Sequence, residues 1–164
     1  CALPISRLGT AFFARKLNEL ADEGLYRPSL VAGWSRAHVV CDVAYHARAV
    51  SRQVEAATKG LAVPPFEHLG DDVDLGATLP PRALRHLFDH AVIHLNVVWR
   101  DLPSGGWQAV GVAEDGAIRP LSDTPFIRAR RLWVRALELG NGARPRDLPA
   151  EFRPTAAADQ QEPL

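Results

Sequence analysis

Apolar residues recur at helical spacing at Leu8, Phe12, Leu17 and Leu20 until Gly24 interrupts the pattern. This predicts a first helix over about Ile5 to Glu23, with the glycine as its stop. Ser35 then stands as an N-cap before the stripe Val39, Val43, Ala47, Val50 and Val54, which predicts a second helix reaching about Lys59. Pro80-Pro81 opens a third helix, since a missing N–H costs nothing in the first turn, and Leu84, Leu87, Ala91, Leu95 and Val98 carry it to about Leu102. Thr124-Pro125 reads as an N-cap and first-turn pair for a fourth helix, closed by Gly140-Asn141-Gly142.

Between these helices the pattern breaks in two places. Gly60 to Thr78 holds Pro64-Pro65, three glycines and the acidic run Asp71-Asp72-Val73-Asp74, the signature of a long crossing loop. Trp107 to Val112 and Ala117 to Arg119 flank Glu114-Asp115-Gly116 as a short hairpin. The expected fold is therefore all-α: a four-helix bundle with a long crossover loop and a small β-hairpin before the last helix, one domain over residues 1–152. Beyond Phe152 the tail, residues 153–164, holds too little apolar surface to fold and is expected to be disordered.

Composition narrows the function classes. With 47% hydrophobic residues among 164, and 19 basic residues balancing 19 acidic ones, the chain can bury a core but offers no charge excess for nucleic acid or an anionic membrane. No apolar run is long enough to span a bilayer, and Cys1-Ala-Leu-Pro lacks the basic start and apolar core of a secretion signal, so a cytoplasmic protein is expected. Cys41 falls inside an apolar helical pattern, which favours a buried inert thiol over a disulfide to Cys1 or a reactive group. Trp34, Trp99, Trp107 and Trp133 are expected in the core. Phosphate-loop, dinucleotide, zincin and nucleophile-elbow motifs are all missing from the sequence.

Three polar lines could carry chemistry. His38, Asp42 and His46 stand four residues apart on one face of the second helix. Arg128, Arg131, Arg135 and Glu138 share a face of the fourth. The third helix carries His86, His90 and His94, a line in which two rings can reach one ion but rarely all three; a partly exposed polar stripe is the plainer reading.

The stretches GWSRAHVVCDVAYHARAV, Gly33 to Val50, and TPFIRARRLWVRALELG, Thr124 to Gly140, resemble the paired motifs of the N-terminal domain of mycothiol-dependent maleylpyruvate isomerases, within the DinB-like superfamily. The resemblance covers roughly Leu8 to Phe152, implies the same bundle, and implies that its second and fourth helices face each other. In that family a His of the first motif joins a Glu and a His of the second on a divalent metal. Here those positions hold Asp42, Arg131 and Arg135. A guanidinium offers donors only and cannot ligate a metal. The resemblance thus implies an Asp–Arg ion-pair cluster where the metal would sit, with no metal and no cofactor.

Such a cluster has two readings: a structural plug, or a site in which Asp42 neutralises one arginine while the other presents its fork to a substrate carboxylate or enolate. The leading expectation is a metal-independent isomerase or cyclase acting on a small anionic or polyunsaturated substrate, in specialised biosynthesis. Asp42, Arg131, Arg135, His38 and His46 are its candidate catalytic residues; Arg128, His90, His94 and Glu138 are its candidate substrate-binding residues. The alternatives are a mycothiol-dependent isomerase or S-transferase with its metal displaced onto His38, His46 and a third-helix histidine, and a non-catalytic small-molecule-binding protein. A homodimer is compatible with the sequence.

Overall fold

In a computed structural model of the chain, residues 3–68 and 70–154 are described. The long helices are α1 (Leu3–Asn18), α2 (Arg36–Thr58), α4 (Pro81–Asp101) and α5 (Thr124–Glu138); the short α3 (Val73–Gly76) and the strands β1 (Val110–Val112) and β2 (Ile118–Pro120) lie between them. Helix α2 packs on α4 and α1 on α5. The expected all-α bundle with a small hairpin is the fold observed.

The valine stripe of α2 is the centre of this packing, with Val39, Val43 and Val54 fully buried and Val50 nearly so. Burial of each contributes roughly 1.5–3 kcal/mol, so a charge at Val43 would undo the bundle. Helix α1 departs from expectation by ending at Asn18, and Leu8 is 63% exposed. The early stop has a partner: Arg85 from α4 donates to the carbonyls of Leu17 at 3.1 Å and Leu20 at 2.7 Å, satisfying the helix end with a cation. A 3-10 turn, Asp22–Tyr26, then folds Leu25 into the core. Arg36 plays the same part for α5, donating to Leu139 O and Gly140 O at 2.9 and 2.8 Å, where Gly140 takes the left-handed conformation that closes the helix. Thr124 is the first residue of α5, not its cap, and its hydroxyl donates to Leu121 O while accepting from Trp99 Nε1. Trp99 and Trp133 are buried, whereas Trp34 and Trp107 are half-buried.

The crossover loop is strapped down. Gln53 of α2 donates to Pro64 O at 2.9 Å and Val112 O at 3.0 Å, Phe66 N–H donates to Val112 O at 2.9 Å, and Arg48 pairs with Asp71 at 2.9 Å. These bonds lock loop, α2 and hairpin together. Within the loop the acidic run forms α3, capped by Asp72, and Gly76 packs so closely on Tyr45 and Cys41 that a Cβ would collide with both. Of the tail expected to be disordered, residues 153–164, residues 153 and 154 are described and Arg153 Nε donates to Leu148 O at 2.9 Å, whereas residues 155–164 lie outside the described residues. No helix among the described residues is long and apolar enough to cross a membrane.

Candidate functional site

Successive turns of α2 place Asp42 and His46 on the side facing α5, whose arginines recur three and four residues apart toward them. Asp42 is 5% exposed and accepts three hydrogen bonds: Arg131 Nη1 donates to Oδ1 at 2.7 Å and Oδ2 at 2.8 Å, and Arg135 Nε donates to Oδ2 at 2.7 Å. The arginines do not stop there. Arg135 Nη1 donates to Glu138 Oε2 at 2.5 Å, and Arg131 Nη2 pairs with Glu114 from the hairpin turn. The Arg135 guanidinium also lies 5.2 Å from the Trp34 ring centroid, a cation–π contact. Burial opposes the charge on Arg135, but Asp42 and Glu138 outweigh it and raise its pKa above the ordinary value.

A single carboxylate against two guanidiniums would leave excess positive charge; instead Asp42, Glu114 and Glu138 surround Arg131 and Arg135. Glu114 is the member that sequence reasoning missed, because hairpin and helix periodicities carry no information about each other. Only the i,i+3 spacing of Arg135 and Glu138 could have flagged its counterpart.

Behind the cluster lies Arg128, 1% exposed, with Nη1 donating to Val43 O at 2.6 Å and approaching His46 Nδ1 at 3.4 Å; its Nη2 has no partner among the described residues. Burial, then Arg131, pulls its pKa down to about 9, so it stays charged at neutral pH. His46 is 1% exposed under the Phe66 ring, 5.2 Å away. Burial, then the positive charges of Arg131 and Arg128, hold its pKa well below the ordinary 6.5. His46 is therefore a neutral imidazole, and since a guanidinium is donor only, the contact assigns Nδ1 as the unprotonated nitrogen.

The other candidates sit apart from this cluster. His38 serves the helix start, its Nδ1 accepting from Ser35 N–H at 3.1 Å and lying 2.8 Å from Ser35 Oγ, its Nε2 3.4 Å from Asp74. It touches the site through Trp34, on which it stacks. His90 and His94 are not brought to Asp42: they lie on α4, whose main packing partner is α2, and His94 Nε2 is 2.8 Å from Glu55 Oε1. Cys41 is buried and free, and burial, then Asp42, pushes its thiol up to about 12, in keeping with an inert group.

The donor set does not fit a divalent metal. Asp42 supplies one carboxylate already holding three N–H groups, and Arg131 and Arg135 have no lone pair to give. Among the described residues no three His, Cys, Asp or Glu side chains converge on an ion, so the displaced set of His38, His46 and an α4 histidine does not form either. What the cluster does offer is an open groove of about 320 Å³ lined by Ile127, Arg130, Arg131, Val134 and Arg135. A second groove of about 300 Å³ shares Ile127 and Arg130 with it and reaches Glu114 and Phe126. The accessible space beside the cluster thus runs along α5 toward the hairpin.

The sequence profile of the mycothiol maleylpyruvate isomerase N-terminal domain matches residues 6–140. Crystal structures of the mycothiol-dependent maleylpyruvate isomerase and of a histidine-to-alanine mutant of it superpose with TM-scores of 0.85 and 0.83, each at 32% identity over 92% of this chain. The chain spans 64% of the length of those two proteins. No curated protein matches the chain.

Proposed function

Because the chain belongs to the family of mycothiol maleylpyruvate isomerase N-terminal domains, we propose that it serves the thiol-dependent isomerisation of a small cis-unsaturated dicarboxylate. This is the thiol-dependent alternative raised from sequence, without the displaced metal that accompanied it there; family membership supports its thiol chemistry over the cofactor-free cyclase or isomerase. We further propose that the domain works without a metal at Asp42, Arg131 and Arg135.

The observation carrying this reading is that one buried carboxylate holds two guanidiniums side by side at the edge of an arginine-lined groove. A thiol supplies the nucleophile that adds to the double bond and leaves again. Arg131 and Arg135 bind the substrate carboxylate and take up charge developing on its enolate oxygen, an electrostatic task that a cation or a preorganised donor pair can perform. Asp42 positions both arginines. His46, expected from sequence to move a proton, is buried with its unprotonated Nδ1 turned to Arg128 and does not line the groove, so it supports the arginine layer and is not the base. Glu114 and Glu138 are the most exposed carboxylates of the cluster, so they are the groups a substrate carboxylate displaces. A free thiol at Cys41 and a thiol cosubstrate fit a reducing, cytoplasmic setting.

One observation favours a second, non-catalytic reading: the arginines are already paired by carboxylates of the chain itself. Full-length protein incubated with maleylpyruvate, with and without mycothiol, separates the two. Isomerisation that requires the thiol and survives a chelator supports the proposal; no thiol-dependent turnover favours the binding protein, and turnover abolished by chelator overturns the metal-free site.

A further inference from the structure

The three histidines of α4 are left without a role by the site on α5, yet they form the most regular array of ligating groups in the described structure. His86 and His90 are exposed and His94 is half-buried. Their rings step along the helix with centroids 6.0 Å apart for His86 and His90 and 6.3 Å for His90 and His94, tilted by 40° and 39°. The two gaps are nearly equal, as the four-residue spacing on one helical face demands. An ion bound at about 2.0–2.1 Å from each of two imidazole nitrogens spans such a gap after small rotations of exposed rings. His86 and His94, eight residues apart, are separated by roughly 12 Å along the axis and cannot share an ion.

We propose that α4 carries an exchangeable site for one borderline transition-metal ion, such as Ni²⁺, Cu²⁺ or Zn²⁺, built on His90 with either His86 or His94 as the second ligand. Imidazole pairs select this class over Mg²⁺ or Ca²⁺. Because no three His, Cys, Asp or Glu donors converge among the described residues, two imidazoles bind at a time and water completes the shell. The ion is therefore exchangeable, unlike one held in a closed site. Glu55, whose Oε1 is 2.8 Å from His94 Nε2, competes with the ion for His94. His90 belongs to both pairs, so the two pairs exclude each other and the stoichiometry is one. This inference stands independently of the reaction proposed for the α5 cluster.

The test is calorimetric titration of untagged full-length chain, dialysed free of metal, with NiCl2. One ion per chain is expected, with His90→Ala weakening it by at least about tenfold while His86→Ala or His94→Ala, each leaving one intact pair, weakens it only about twofold. The double variant His86→Ala/His94→Ala should match His90→Ala. Alanine is the best helix former, so these exposed changes leave α4 in place, which circular dichroism checks. Independent of any variant, Ni²⁺ should broaden the imidazole NMR signals of His86, His90 and His94 ahead of those of His38, His46 and His68. Wild-type affinity in His90→Ala, equal losses in all three single variants, absence of binding below millimolar Ni²⁺, or broadening that begins elsewhere would each overturn the site.

Discussion

Asp42→Asn probes the centre of the cluster with the smallest change of shape. Asp42 accepts three charge-assisted hydrogen bonds at 2.7, 2.8 and 2.7 Å from two guanidiniums while 5% exposed. An asparagine keeps one acceptor oxygen but turns an NH2 toward one of the arginines, so about two of these bonds are lost at roughly 1.5–3 kcal/mol each. Two offsets reduce the sum: Arg131 and Arg135 keep Glu114 and Glu138, and both retain some contact with water. Breaking a buried pair costs about 3–5 kcal/mol, and with these offsets a value near the lower end, about 3 kcal/mol, is expected. For a chain of this size that lowers the melting temperature by about 6–12 °C. Urea unfolding followed by circular dichroism should show a lower midpoint at unchanged slope. The double variant Asp42→Asn/Arg135→Gln should recover part of the loss, because it removes one of the guanidiniums left uncompensated. A loss under about 1 kcal/mol for Asp42→Asn, or no coupling to Arg135, would refute the view that this carboxylate holds the cluster together.

Three further outcomes follow from the same geometry. His46 is neutral in the fold with its pKa held well below 6.5, so as pH falls below 6.5 the unfolded chain takes up a proton that the folded chain refuses. Stability on its account is then lost at up to about 1.4 kcal/mol per pH unit until the folded pKa is reached, and urea midpoints between pH 7 and 5 should fall less steeply in His46→Gln; an unchanged slope would place His46 in contact with water. Cys41, with its thiol pushed up to about 12, should stay unlabelled by a disulfide reagent at pH 8 in a Cys1→Ser variant and react on unfolding, whereas rapid native labelling would contradict its burial. Glu114→Gln frees Arg131 Nη2 from a half-exposed partner and should tighten binding of a small dicarboxylate without lowering stability by more than about 1 kcal/mol; weaker binding would show that Glu114 helps to form the site.

What was legible in the sequence is what periodicity encodes. The stripe of α2 and the proline-marked start of α4 fixed two helices nearly to the residue, because burial of one face dictates the spacing. The end of α1 was not legible, since the arginine that satisfies its last carbonyls comes from α4, dozens of residues away. The same limit governs the site. Asp42, Arg131 and Arg135 emerged by aligning two motifs, but Glu114, seventeen residues from Arg131, belongs to a turn whose composition only signals a turn. His38 looked chemical and is a helix-capping residue, because a short-range bond to Ser35 leaves no trace in a helical pattern.

The most direct test of the site is a titration of the metal-free protein with maleate, a small cis-dicarboxylate, in wild type and in Arg135→Lys. In a His90→Ala background, which removes the α4 imidazole pairs, added zinc should not be needed. The account predicts maleate binding that is indifferent to chelator and falls by roughly five- to 150-fold, 1–3 kcal/mol, when the planar fork of Arg135 becomes a point charge, with the fold nearly as stable as before. Maleate binding that requires zinc, or full affinity in Arg135→Lys accompanied by a stability loss of several kcal/mol, would contradict it and mark the cluster as a structural plug.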